Sequence, residues 1–245
     1  MRCLIGYFGL PRLTSMTGPS IQRCILDPLR QAGIPVLAAG HFNRPLMIDN
    51  PRSGEKGLMP QADPPRDLAL DLWEDEVQND EAIAAPLAVA HAYPDAFGDG
   101  YVSTRNLCHQ LRSLDRLWAL LAAFNPVASD LIMLLRPDLL YVDELKLERD
   151  LRGILAGSID VIVPDWQPWG GLNDRFAFAN LLAARAFATR IRLMAEGCAE
   201  SGALHGERFL GFVAATHGLR VARTTLRGLR LRSDGRFAPN DLAML

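Results

Sequence analysis

Three short polar clusters stand at the ends of apolar runs, and each combines residue types that can do chemistry. Arg136-Pro137-Asp138 closes the run Asp130-Leu-Ile-Met-Leu-Leu. In an extended chain, residues two apart point to the same side, so Arg136 and Asp138 can reach one pocket together. A guanidinium matches phosphate with paired, charge-assisted hydrogen bonds, and the carboxylate suits a hydroxyl or a metal. An Arg–Asp ion pair closing a turn explains the same spacing equally well. Asp165 ends the second run, Ser158 to Pro164, and leads into Trp166-Gln-Pro-Trp169-Gly-Gly. Aromatic faces beside carboxylates suit sugars, whose C–H faces stack while their hydroxyls hydrogen-bond. The third cluster is Asn173-Asp174-Arg175, in which Asp174 is either a general base or hydroxyl ligand or the N-cap of a following helix.

Weaker signals flank these. Arg12, in Gly9-Leu10-Pro11-Arg12, is the first cation at a strand end: an anion ligand or a solvated loop residue. His205 and Glu207 open a late helix, where Glu207 gains from the helix dipole and a capping or surface role explains both. Arg220, Arg223, Arg227, Arg230, Arg232 and Arg236 make the tail basic, which fits a solvated edge better than a phosphate site.

The elements that must position these residues follow from hydrophobic pattern. Arg2 to Phe8, Ile34 to Ala39, Asp130 to Leu135 and Ser158 to Pro164 read as short strands covered on both faces. Arg44 to Asp49 is a further short strand. A helix is expected from about Ile21 to Gln31, opened by Thr17-Gly18-Pro19-Ser20 and stopped at Gly33. The clearest helix runs from about Thr104 to Phe124, with Leu107, Leu111, Leu114, Trp118 and Leu121 on one stripe. Helices are also expected over Leu68 to Val77, over Ala177 to about Ala199, and from His205. The last puts Phe209, Phe212, Val213 and Thr216 inward and stops at Gly218. Asn50 to Asp67 reads as a long loop or insertion. Helix followed by buried strand implies a mostly parallel sheet flanked by helices, and ligands of such sheets bind beyond the strands' carboxyl ends.

Length and composition bound the rest. At 245 residues, with 49% hydrophobic and 22% charged residues, the chain suits one α/β domain spanning 1–245. A net charge of −2 gives no ground for nucleic-acid or membrane-surface binding, and no apolar run approaches the ~18 residues of a membrane span. The four scattered cysteines point to a reducing, cytoplasmic setting. Gly-x-Gly-x-x-Gly, P-loop and Gly-x-Ser-x-Gly signatures are absent.

Several segments together resemble bacterial glycosyltransferase-like proteins of GT-A type from polysaccharide biosynthesis clusters. They are Gly9-Leu-Pro-Arg12, Asn106 to Trp118, Asp130 to Asp138, Val163-Pro-Asp165, Gly170 to Phe178 and His205 to Leu210, with Arg-Pro-Asp and Asn-Asp-Arg-Phe-Ala-Phe the most specific. The resemblance implies a nucleotide-diphospho-sugar transferase fold, a nucleotide-sugar donor and a glycan or glycolipid acceptor. It implies donor contacts from Arg12, Arg136 and Asp138, and sugar or acceptor contacts from Trp169, Asn173 and Arg175. Asp174 comes first as base or acceptor ligand, then Asp165, then Glu207. GT-A enzymes usually carry Asp-x-Asp for Mn2+ or Mg2+, whereas arginine stands here at the first position. Asp138 is left as a ribose, sugar or single-point metal ligand, with metal dependence open. The alternative function is a catalytically silent nucleotide- or glycan-binding domain acting through a partner.

Overall fold

The computed structural model describes residues 1–243. Among them are eleven strands: Cys3–Gly9 (β1), Val36–Arg44 (β2), Met47–Asn50 (β3), Glu55–Leu58 (β4), Leu72–Val77 (β5), Leu131–Leu135 (β6), Leu139–Tyr141 (β7), Val161–Pro164 (β8), Phe176–Ala179 (β9), Val221–Thr224 (β10) and Gly228–Arg230 (β11). Seven form one central sheet in the order β10-β8-β9-β6-β1-β2-β5. It is mostly parallel; β9 alone runs against its neighbours β6 and β8.

Two apolar cores cover the sheet's two faces, and β1 shows why its sequence is apolar throughout. Leu4 and Phe8 enter one core, Cys3, Ile5 and Tyr7 the other, as alternation along a strand requires. The first core is closed by the helix Val102–Ala122, whose Leu107, Leu111, Leu114, Leu117 and Leu121 are buried. This helix lies so near β1 that a Cβ on Gly6 would stand 2.7 Å from Leu117 Cδ2, so a side chain there would have to push Leu117 aside. The second core packs the helical stretch Thr14 to Gln31 and the small β11–β7 sheet. All four cysteines are buried and free, and among the described residues no helix is long and apolar enough to cross a membrane.

Several expectations are corrected. Leu72–Val77 is the edge strand β5 rather than helix. Its half-buried Glu74 and Glu76 take Arg116 and Arg112 of the long helix as ion-pair partners, so burial alternates along the strand with period two although its three acids are consecutive. The stretch from Ala177 is not one helix: β9 occupies its start, and helices Leu181–Ala188 and Met194–Ser201 follow. Asn180 caps the first of these by accepting from Ala183 N–H, so Asp174 is not an N-cap. Residues 50–67 are not structureless but hold most of the antiparallel hairpin β3–β4. Phe209 and Val213 point inward from helix Gly206–Thr216 as expected, but Thr216 is exposed.

Candidate active site

The sheet turns in strand order at β1: the chain adds β2 and β5 on one side and β6 on the other. At such a switch point the loops after neighbouring strands diverge and leave a crevice at their carboxyl ends. A cleft of about 360 Å³ lies there. Gly9 ends β1 and Arg12 follows it, Asn43 is next to last in β2 and Arg136 follows β6, and all four line it. The other wall brings Trp169, Asp174 and Arg175 from the loop before β9, Gly206 and Glu207 from the late helix, and Arg230 and Arg232 from the tail.

Beneath one end is a closed ion network. Asp138 is fully buried and accepts from Arg12 Nη1 at 2.7 Å and from Arg136 Nε and Nη2 at 2.9 and 2.7 Å. Burial alone would raise its pKa, but Arg136 and Arg12 outweigh it and hold the carboxyl well below the usual range. Glu55, on the hairpin strand β4, joins Arg12 Nε at 3.2 Å to Arg232 Nη1 at 3.3 Å. Arg230 pairs with the buried Asp241 at 3.0 Å. Arg12, Arg136, Arg175, Arg230 and Arg232 crowd this end of the cleft, and Arg52 and Arg105 also line it. Burial, with Arg230 and Arg136 close by, brings Arg175 down to about 10. Four carboxylates (Asp138, Glu55, Asp174 and Asp241) pair with these five arginines, which leaves one positive charge in excess to favour an anion.

Gln110, on the long helix, links this network to a second one. Its Oε1 accepts from Arg136 Nη1 and its Nε2 donates to Asp174 Oδ2, both at 2.8 Å. Arg175 Nη1 lies 2.8 Å from Asp174 Oδ1 and 3.9 Å from Glu207 Oε1, so one nitrogen spans two carboxylates. The two titrate differently. Burial pushes Asp174 up, but Arg175, Arg136 and Arg190 with the Gln110 hydrogen bond outweigh that and keep it lowered. Burial and then the Asp174 charge push Glu207 up to about 7, overriding the helix N-terminus at which it sits. His205 Nδ1 lies 3.4 Å from Glu207 Oε2, and burial lowers the His205 pKa. Gly171 makes the arrangement possible. A Cβ there would fall 2.0 Å from the Glu207 carbonyl oxygen, which accepts from Leu172 N–H at 2.9 Å.

The expected site residues therefore divide. Arg12, Arg136, Trp169, Asp174, Arg175 and Glu207 line one cleft. Asp138 lies under its floor, paired with Arg136 as in the ion-pair alternative, and only Arg136 of the two reaches the cleft. Asn173 is buried and structural, donating to the Trp166 carbonyl at 2.6 Å and accepting from Arg175 N–H at 2.8 Å. Asp165 is exposed and does not line the cleft, because the strand β8 ends before the loop turns inward. Trp166 donates Nε1–H to the Leu226 carbonyl at 3.0 Å, whereas Trp169 stands 47% exposed at the cleft. Sequence reasoning missed Gln110 and Asn43 and took Arg230 and Arg232 for a solvated edge. Register pairing of β11 with β7 carries Arg230 inward, and Glu55 holds Arg232.

A divalent cation does not fit the residues present. Both Asp138 oxygens are taken by guanidinium groups, and no group of three or more His, Cys, Asp or Glu among the described residues is placed to hold a metal.

No family model and no curated protein matches the chain. Among solved structures, mouse xyloside xylosyltransferase 1 in its apo form overlaps at 15% identity, covering 91% of this chain and 84% of that one, with a TM-score of 0.39. A glycosyltransferase involved in glycosylation of the major capsid of PBCV-1 overlaps at 9% identity over 91% and 81%, TM-score 0.41. A protein from STIV does so at 10% over 97% and 93%, TM-score 0.36. At these scores the likeness decides nothing about chemistry; the cleft's own residues have to.

Proposed function

We propose that the chain transfers a sugar from a nucleotide-diphosphate donor to a hydroxyl of a glycan or glycolipid acceptor, with residues 1–245 acting as one domain. The observation that carries this reading is that an arginine-lined wall and a carboxylate raised to about 7 face the same cleft. Arginine clusters suit a leaving group that departs as an anion. A carboxylate near neutrality suits removal of a hydroxyl proton at physiological pH. In the proposed step Glu207 takes the acceptor's O–H proton and the acceptor oxygen bonds to the sugar's anomeric carbon. The bond from that carbon to the diphosphate oxygen breaks, and Arg12, Arg136, Arg175, Arg230 and Arg232 receive the diphosphate charge.

Asp174 is then a fixed anion rather than the base, because its charged form is held by three arginines and Gln110. Trp169 offers a face to the acceptor sugar. The arginines replace the divalent cation that GT-A resemblance would imply, so the reaction runs without Mn2+ or Mg2+.

The test is a panel of nucleotide sugars with UDP, GDP, CMP, ADP and dTDP as thermal-shift ligands, each with and without Mn2+. One nucleotide is expected to raise the melting temperature to the same degree in EDTA. Glu207→Gln should lower donor consumption by about 10²–10⁴-fold while leaving that thermal shift intact. Were wild type to consume no donor yet bind a nucleotide, the silent binding domain would replace the enzyme.

A further inference from the structure

Arg190 is a cation that neither wall of the cleft uses. It begins the short turn Arg190–Leu193 and is only 3% exposed, inside the core with Phe187 and Leu210. Its Nη1 donates to the Phe187 carbonyl at 2.6 Å, but its Nε is buried without a partner. A buried guanidinium that lacks a carboxylate partner is costly, so its compensation has to be sought nearby.

A small cavity of about 10 Å³ lies behind the cleft and supplies it. Arg190 and Asp174 are its charged lining; Phe8, Leu134, Phe176 and Ala177 are among the rest. That is roughly the space one water molecule needs. Each Asp174 oxygen accepts once, from Arg175 Nη1 or from Gln110 Nε2, and a carboxylate oxygen can accept a second time.

We propose that Arg190 is a positioning residue that holds Asp174 from behind through one water in this cavity. The water accepts from Arg190 Nε–H and donates to the Asp174 carboxylate. Arg175 from the same loop and Arg136 beyond β6 hold the carboxylate from the cleft side, and Glu207 opposes it from the late helix. Arg190 thereby keeps Asp174 ionised and still, so that Glu207 is the carboxylate left to titrate. The inference rests on the reading of Glu207 as base and Asp174 as fixed anion. The direction of the Asp174 shift, to which the Arg190 charge contributes, agrees with it.

Carbon-13 carboxyl NMR titration of Asp174 and Glu207 in the full chain tests the idea without any donor. In Arg190→Met the Asp174 midpoint is expected to rise by about one pH unit or more, and in Arg190→Lys by less. Ala177→Val narrows the cavity with Arg190 in place and should raise the midpoint in the same direction. An unchanged Asp174 midpoint in folded Arg190→Met overturns the proposal; if that variant does not fold, an unchanged midpoint in Ala177→Val does. A shift in Arg190→Met with none in Ala177→Val overturns the water link. Kinetics separate this from the function itself. If wild type turns over no nucleotide sugar, the transferase reading fails while the titration still decides Arg190. If wild type does turn over, Arg190→Met should lower kcat with donor affinity unchanged.

Discussion

Asp138 and Glu207 are carboxylates in the same part of the molecule, each beside arginine, yet burial ends in opposite places for them. Asp138 meets two guanidinium groups with three hydrogen bonds and stays ionised far below neutrality. Glu207 meets one arginine nitrogen at 3.9 Å, which Asp174 holds more closely, and is left to titrate at about 7. Counter-charge at hydrogen-bond distance decides the sign, since desolvation acts on both. The first arrangement makes a rigid floor and the second a group able to exchange a proton.

The comparison breaks most visibly at Asp138. Asp138→Ala leaves Arg136 beside no carboxylate at ion-pair distance and Arg12 with Glu55 alone. Removing one partner of a buried ion pair costs about 3–5 kcal/mol, and urea denaturation should read a loss of that order. A loss below about 1 kcal/mol would mean that the floor is solvated and that the arginines can turn to other partners. Glu207→Gln, by contrast, should leave stability equal or higher, because it removes a buried charge at neutral pH.

Stability against pH sharpens the same contrast. The Glu207 folded value of about 7 lies above its ordinary 4.5, so between these the folded state binds more protons than the unfolded chain. Stability from this group is present in full below about 4.5 and is lost as pH rises through about 7. Asp138, lowered in the fold, contributes in the other sense: its stability is present above the ordinary value of 3.8 and is lost as pH falls. The difference between wild type and Glu207→Gln, followed by denaturation from pH 5 to 8, should change by on the order of 2 kcal/mol. A flat difference would remove Glu207 as the neutral-pH base, and activity should otherwise rise through the same window as the carboxylate loses its proton.

Those two sites were unequally legible in the sequence. The apolar runs ending at Leu135 and Pro164 are short and uninterrupted, so doubly covered strands follow from them directly, and Arg136 and Arg12 follow as residues at strand ends. The Asp174–Arg175 cluster is also visible because its three polar residues are contiguous. What remained hidden depends on pairing across long separations. Gln110 looks like any polar residue of an amphipathic helix until Asp174 arrives beside it, 64 positions along the chain. Arg230 and Arg232 look like solvated tail until β11 pairs with β7 and Glu55 meets Arg232, 177 positions away. Asp165 misled because a carboxylate after a strand has no local sign of which way its loop will turn. The strand β5 was lost to helix because Leu-Trp-Glu-Asp-Glu-Val alternates in environment, with charges on the inner-facing positions satisfied by Arg112 and Arg116. Glu207 was ranked last since its raised pKa comes from burial and from Asp174, neither of which a linear chain displays.

The two tryptophans three residues apart give the smallest effect and a clean separation of packing from contact. Trp166 spends its Nε1–H on the Leu226 carbonyl at 3.0 Å and packs against the second core, so Trp166→Ala should cost stability. Trp169 is 47% exposed at the cleft, held there by a backbone φ of 43° and by Gly170 at 81°. Trp169→Ala keeps that turn and removes only the ring, so stability should stay within about 0.5 kcal/mol of wild type. Stacking contacts of this kind are worth about 0.5–1.5 kcal/mol, which is up to roughly a tenfold rise in acceptor KM. Acceptor-varied kinetics at saturating donor should therefore show KM rising with kcat and nucleotide affinity unchanged. A fall in kcat instead would move the ring from the acceptor to the sugar in transfer, because only a contact made in the transition state lowers kcat and kcat/KM together.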